Sequence, residues 1–433
     1  MNADLAQDLL DFIDASPTPW HAVQETIRRL RSAGYRALDE RDKWTLSPGD
    51  KVYVVRAGTS IAAFQLGSEP ADRAGFRLVG AHTDSPNLRL KPNPVYTKAG
   101  YAQLGVEVYG GVLWHTWLDR DLSLAGRVVV AGPDGRPQSH LVDFGRRSLL
   151  RIPNLAIHLN RQVNTDGLKL NAQEHLAPMW ALEAGGAVDL KALIAEELAK
   201  AGVKIAPNDV LAWDLCLYDV QKSTRSGLRG EFLHAPRLDN LASSHAALSA
   251  LLSGGDRRST CGAVLYDHEE VGSTSAQGAA GTFLRDVLER IAAGHGAPDR
   301  EGFLRAIQSS FLVSADMAHA IHPNYADRHE PRHAPLLGAG PVIKSNANQS
   351  YATDSESLGY FAAICREVEV VPQHFVTRTD LPCGSTIGPI TAGELGIRTI
   401  DVGNPMLSMH SIRELAAASD VEKMVKVLSR FYA

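Results

Sequence analysis

Two adjacent carboxylates, Glu269 and Glu270, close the apolar run Ala263-Val-Leu-Tyr-Asp-His-Glu-Glu-Val-Gly272, and the glycine behind them lets the chain turn. Neighbouring side chains at a strand end point in different directions, so one carboxylate can bind a metal ion while the other reaches a water beside it. A solvated Glu-Glu turn would read the same way locally; what gives the pair weight is recurrence. The apolar run Phe76-Arg-Leu-Val-Gly-Ala-His-Thr-Asp84 ends in His82 and Asp84, a candidate imidazole ligand and a carboxylate able to fix its tautomer and orientation. Asp239 opens a helical pattern running to Leu252; it can cap that helix, or bridge two cations with its two oxygens. Two further apolar runs lead to Asp316 and, through Asn404-Pro-Met-Leu-Ser-Met, to His410.

In open α/β sheets the carboxyl ends of parallel strands share one crevice, which would gather His82, Asp239, Glu270, Asp316 and His410. Five imidazole and carboxylate donors suit two divalent cations, with one carboxylate bridging and Glu269 left as general base. The donor set favours Zn, Co or Mn over Mg or Ca and leaves the choice among the first three open.

The elements that must carry these residues are of two textures. Residues 1–94 and 235–433 alternate apolar strands with amphipathic helices, beginning with a helix over residues 1–14, and read as one discontinuous catalytic domain of mixed α/β class. Between them, after Pro92 and Pro94, residues 95–234 are rich in short β-type runs and glycine and read as an inserted β-rich domain. Within it, Asn154-Leu-Ala-Ile-His-Leu-Asn160 alternates like a strand around His158. The balance of 49 acidic against 44 basic residues, a net charge of -5, offers no attraction to nucleic acid or an anionic membrane. No apolar run is long enough to span a bilayer, and the N-terminus lacks the basic region of a signal peptide. The four scattered cysteines suit reduced thiols in a cytoplasmic protein.

The chain resembles the aspartyl aminopeptidase family of co-catalytic metallopeptidases over nearly its whole length. The resemblance rests on Ser16-Pro-Thr-Pro-Trp-His21, Ala81-His-Thr-Asp-Ser-Pro86, Asn154-Leu-Ala-Ile-His-Leu159, Arg237-Leu-Asp-Asn240, Asp267-His-Glu-Glu-Val-Gly-Ser273, Ser314-Ala-Asp-Met-Ala-His-Ala320, Lys344-Ser-Asn-Ala-Asn-Gln-Ser-Tyr-Ala-Thr353 and Ser408-Met-His-Ser411. It implies a di-metal exopeptidase domain with an inserted dimerisation domain. His82 and Asp316 would hold one zinc, Glu270 and His410 the other, with Asp239 bridging, Glu269 as base and Asp84 orienting His82. It also implies that His322, Lys344 and Tyr351 line the substrate pocket, with Lys344 pairing an acidic first residue. The implied assembly is a dodecamer built from dimers, in which His158 reaches a neighbouring subunit's site as a substrate contact or, alternatively, a metal ligand. The substrates would be peptides with a free N-terminus. Two other readings are a di-metal aminopeptidase of broader specificity or an amidohydrolase, and a metal-binding scaffold without catalysis, which should lack a ligand or the base.

Overall fold

The computed structural model describes residues 4–186 and 188–433. These divide into two compact units. The first comprises the chain up to Ser85, Ser223–Met409 and Glu414–Ala433; the second comprises Pro86–Lys222 and His410–Arg413.

The first unit is organised on a nine-stranded mixed sheet. Across it the strands run Arg36–Ala37, Lys51–Arg56, Ser60–Gln65, Thr260–Tyr266, Phe76–His82, Phe311–Ala315, Arg398–Gly403, Val342–Lys344 and Gln373–Phe375. The four in the middle, from Thr260–Tyr266 to Arg398–Gly403, are mutually parallel. Their near-continuous apolar sequences are those of strands covered on both faces. Alternation decides which face each residue serves. Val79, Ala81, Val313 and Ala315 pack with helices Leu5–Asp14, Leu238–Leu252 and Ala418–Tyr432. Leu78, Val264 and Leu312 pack against helices Phe283–Gly294 and Arg300–Gln308. The fold is therefore mixed α/β. A smaller five-stranded sheet belongs to the same unit.

The helix read as opening at Asp239 begins differently. Asp239 and Asn240 have non-helical backbone angles, the peptide between them is cis, and regular helix follows to Leu252. The first helix spans Leu5–Asp14, and residues 1–3 of the reading over 1–14 lie outside the described residues.

The second unit holds a six-stranded antiparallel sheet, in the order Pro137–Asp143, Leu122–Ala131, Val210–Asp219, Asn87–Lys98, Tyr101–Tyr109, Met179–Leu182. A domain start after Pro94 would cut the strand Asn87–Lys98, since the unit begins at Pro86. The two prolines lie where the pairing register shifts between Leu90 and Val95. Lacking an N–H, they interrupt a ladder without ending the strand. The segment around His158 is not the alternating strand its pattern suggests. Residues Ile157–Leu159 form a 3₁₀ turn, and Leu155, Ile157 and Leu159 are all exposed. Alternation produces a strand only where a neighbouring strand accepts the ladder, and the pairing here ends at the isolated bridge between Arg151 and Met179.

No helix of the described residues is long and apolar enough to cross a membrane. All four cysteines are free, three of them buried and Cys383 partly exposed.

Candidate metal centre and adjoining cavity

The parallel register brings the strand ends level, with Tyr266 opposite His82 on one side and Ser314 opposite Gly80 on the other. The residues that follow these strands are therefore delivered to one place. His82 is fully buried, and its Nε2 lies 3.5 Å from Asp239 Oδ1, 3.7 Å from Asp316 Oδ1 and 3.9 Å from Glu269 Oε2. Two groups have donor atoms mutually within 4.8 Å: His82, Glu269 and Asp316, and His82, Asp239 and Glu270. His82 belongs to both. Glu269, expected to stand apart as a base, is itself at donor distance.

Backbone hydrogen bonds fix these side chains. Nδ1 of His82 lies 3.0 Å from the Asp84 carbonyl oxygen and 3.4 Å from Asp84 Oδ1, so both the backbone and the side chain of Asp84 face the ring. The Asp84 carboxylate also accepts the N–H groups of Glu269 and Glu270, at 3.2 Å each. It thus holds the Glu-Glu turn against the His82 strand. The Asp239 N–H donates to Glu414 Oε2 at 3.1 Å and its carbonyl accepts the Ser85 hydroxyl at 2.6 Å. The Ser244 hydroxyl donates to the carbonyl of His82 at 2.8 Å.

Five carboxylates around one imidazole make a site of high negative charge. Burial opposes the imidazolium of His82, but Glu269, Asp239, Asp316 and Asp84 outweigh it and hold its pKa well above the ordinary value. Burial pushes the Glu269 carboxyl well above its usual range, reinforced by Asp316, Glu270 and Asp84 and opposed by His82. A divalent cation would relieve this repulsion, and imidazole with carboxylate oxygens is a donor chemistry that zinc accepts. The residues present fit such an ion.

Beside them lies a cavity of about 330 Å³ whose lining includes His319, His322, Arg328, His329, Tyr351 and Arg378. Lys344 stands behind it, 2% exposed, with Nζ 5.1 Å from the centre of the Tyr351 ring and 3.6 Å from Asp316 Oδ2. Nζ also donates to the Met317 carbonyl at 3.3 Å. Tyr351 and His322 thus border the cavity, while Lys344 is an inner neighbour already facing a carboxylate. His410 and His158 belong to the second unit. There His410 Nδ1 lies 3.0 Å from the Gly111 carbonyl oxygen, and His158 is exposed on its 3₁₀ turn.

A model of the M18 family, aminopeptidase I zinc metalloproteases, matches residues 12–432. The chain belongs to this family. Among curated relatives, a probable M18 family aminopeptidase 2 of Ectopseudomonas mendocina is 53% identical over 434 residues, covering 100% of this chain and 99% of the relative. Of solved structures, the chain in a cryo-EM structure of the Ape4 and Nbr1 complex is 42% identical with a TM-score of 0.95, covering 99% of this chain and 85% of that one. The "S. cerevesiae mApe1 dodecamer" is 31% identical with a TM-score of 0.86, covering 100% of this chain and 97% of that one. This M18 aminopeptidase is a zinc-dependent hydrolase that releases N-terminal residues.

Several residues of its site escape a reading by strand ends. His319 ends the two-residue strand Ala318–His319, His329 follows the short turn Ala326–Arg328, Glu414 opens the strand Glu414–Ala417, and Asp401 sits inside an apolar strand. Only the last leaves a signal, since a carboxylate in an apolar run must find buried partners.

Proposed function

We propose that this enzyme removes acidic residues, Asp or Glu, from the N-termini of peptides at a two-metal site. The observation that carries the reading is a cavity whose lining holds three imidazoles and two guanidinium groups against one carboxylate, Glu330, beside a cluster of carboxylates around His82. An acidic side chain is the complement of that lining. His82, Asp239, Glu270 and Asp316 would hold the metal, with His410 a further ligand on the family resemblance. When bound, the divalent ions supply Lewis-acid chemistry, polarising a carbonyl oxygen and lowering the pKa of water. Glu269 takes the proton of the attacking water and returns it to the departing amine, a task helped by burial, which pushes its carboxyl above the usual carboxylate range. Asp84 keeps that carboxylate in place through the two backbone N–H groups it accepts. Lys344 draws the acidic side chain toward the rear of the cavity.

One observation favours a broader specificity: Lys344 already has Asp316 Oδ2 at 3.6 Å, so its charge is partly spent inside the protein. The discriminating assay measures kcat/KM for N-terminal Asp, Glu, Leu and Lys substrates on protein of known metal content. Preference for Asp and Glu supports the proposal; equal or better turnover of Leu removes it.

The dodecameric solved relative supports a homo-oligomer; on the family resemblance its building block would be a dimer, with His158 supplied across subunits. Free cysteines suit a reducing compartment.

A further inference from the structure

Asp401 lies inside the apolar strand Arg398–Gly403 and is fully buried. Three donors hold its carboxylate. The hydroxyls of Ser314 and Thr386 each donate to Oδ1 at 2.6 Å, and the Ala352 N–H donates to Oδ2 at 2.6 Å. Its own N–H donates to Thr353 Oγ1 at 3.0 Å. Close approach is built in at a further point, where a Cβ on Gly388 would come within 2.3 Å of Oδ2.

Two of these partners lie close in sequence to residues that line the cavity. Ser314 stands on the strand that leads to Asp316. Ala352 follows Tyr351, and Thr386 follows the segment whose Leu381, Pro382 and Gly384 line the same cavity. One carboxylate therefore fastens two lining segments to the strand end that carries a metal donor. Lys344 faces it too. The strand Val342–Lys344 runs antiparallel to Arg398–Gly403, with Val342 opposite Gly403 and Ile343 opposite Val402, so the register continued by one residue sets Lys344 against Asp401. Directly opposed residues share a face of the sheet.

A buried carboxylate is costly, and an apolar residue of similar volume often serves stability as well or better. The three donors give the carboxylate a structural role, and the Lys344 ammonium opposite it supplies a counterpart for its charge. We infer that Asp401 is a positioning residue for selection of the N-terminal side chain, aligning the Lys344 ammonium and the Tyr351 wall of the cavity without touching substrate. This rests on the acidic-specificity reading proposed above.

The test compares wild type, Asp401→Asn, Lys344→Met and the double variant, at matched metal content, on N-terminal Glu and Leu substrates. Asp401→Asn should lower the Glu-to-Leu ratio of kcat/KM by about tenfold or more, chiefly through KM for the Glu substrate. In the Lys344→Met background the same change should move the ratio by less than about twofold, because coupled residues are non-additive and no cation remains to align. An unchanged ratio in Asp401→Asn, or an equal fall in both backgrounds, overturns the inference. Should Asp401→Asn fail to fold, Thr386→Val carries the test by removing one hydroxyl donor. A fall in the ratio confined to the Lys344 background supports the inference, and no fall or equal falls overturn it. A wild type indifferent to the charge of the first residue fails the acidic-specificity reading and this inference with it. A selective wild type with an unaltered Asp401→Asn ratio fails this inference alone.

Discussion

Glu269 and Glu270 are adjacent in sequence, yet their carboxylates fall into different donor groups around His82. If Glu269 is the base, Glu269→Gln keeps the metal and the fold while kcat falls about 10²- to 10⁴-fold, the usual contribution of a positioned proton acceptor. Metal analysis together with kcat decides it: loss of an ion would make Glu269 a ligand, and near-normal turnover would remove it from the chemistry. A second comparison addresses the bridge. Asp239→Ala should retain less metal than His82→Ala, since a bridging carboxylate serves two ions and a terminal imidazole one. His82 belongs to both donor groups in the structure, so the reverse order would give the shared position to the imidazole.

Strand ends place these side chains, and the tolerance at that level is small. Gly403 closes the strand Arg398–Gly403, and a Cβ there would lie 1.8 Å from the Asp316 carbonyl oxygen. Beside it, the Asp316 N–H donates to the Val402 carbonyl at 2.8 Å. Gly403→Ala must therefore push the Asp316 segment away from its neighbour. Overpacking of this kind costs about 1–3 kcal/mol, and the displaced segment carries a metal donor, so thermal stability and metal content should fall together. An alanine variant with wild-type melting and full metal would show that the two strand ends move independently. A Cβ on Gly67 would also meet backbone, 2.3 Å from the Arg258 carbonyl oxygen and away from the donors, so Gly67→Ala separates lost stability from lost metal.

At the scale of the whole molecule, assembly is the proposal with the most direct consequence. His158 sits on an exposed turn flanked by exposed Leu155, Ile157 and Leu159. An apolar exposed segment of this kind suits burial against another copy. If each subunit lends His158 to its neighbour, His158→Ala and Glu269→Gln are each inactive alone, but co-expressed they restore activity. With random pairing in two-fold dimers, about a quarter of the sites combine an intact Glu269 with an intact His158. Activity of mixed oligomers no greater than that of the parents would place His158 outside its neighbour's chemistry.

The sequence by itself settled what is local. Apolar runs that stop at His82, Glu269–Glu270 and Asp316 could be read as strands with reactive ends, because burial on both faces leaves an uninterrupted hydrophobic signature and the first polar residue marks its end. Family motifs spread along the chain carried the class of reaction. Three things needed the tertiary structure. The Asp84 carboxylate serves the Glu269–Glu270 turn as well as His82. Alternation around His158 became a turn, since no neighbouring strand accepts it. Asp401 and Lys344, more than fifty residues apart, came to face one another only because the strand Val342–Lys344 inserts antiparallel beside Arg398–Gly403. Hydrophobic periodicity specifies that a strand forms and which face is buried, but the order of strands is decided by packing and chain closure across the whole sheet. A contact between strands is therefore invisible until that order is known.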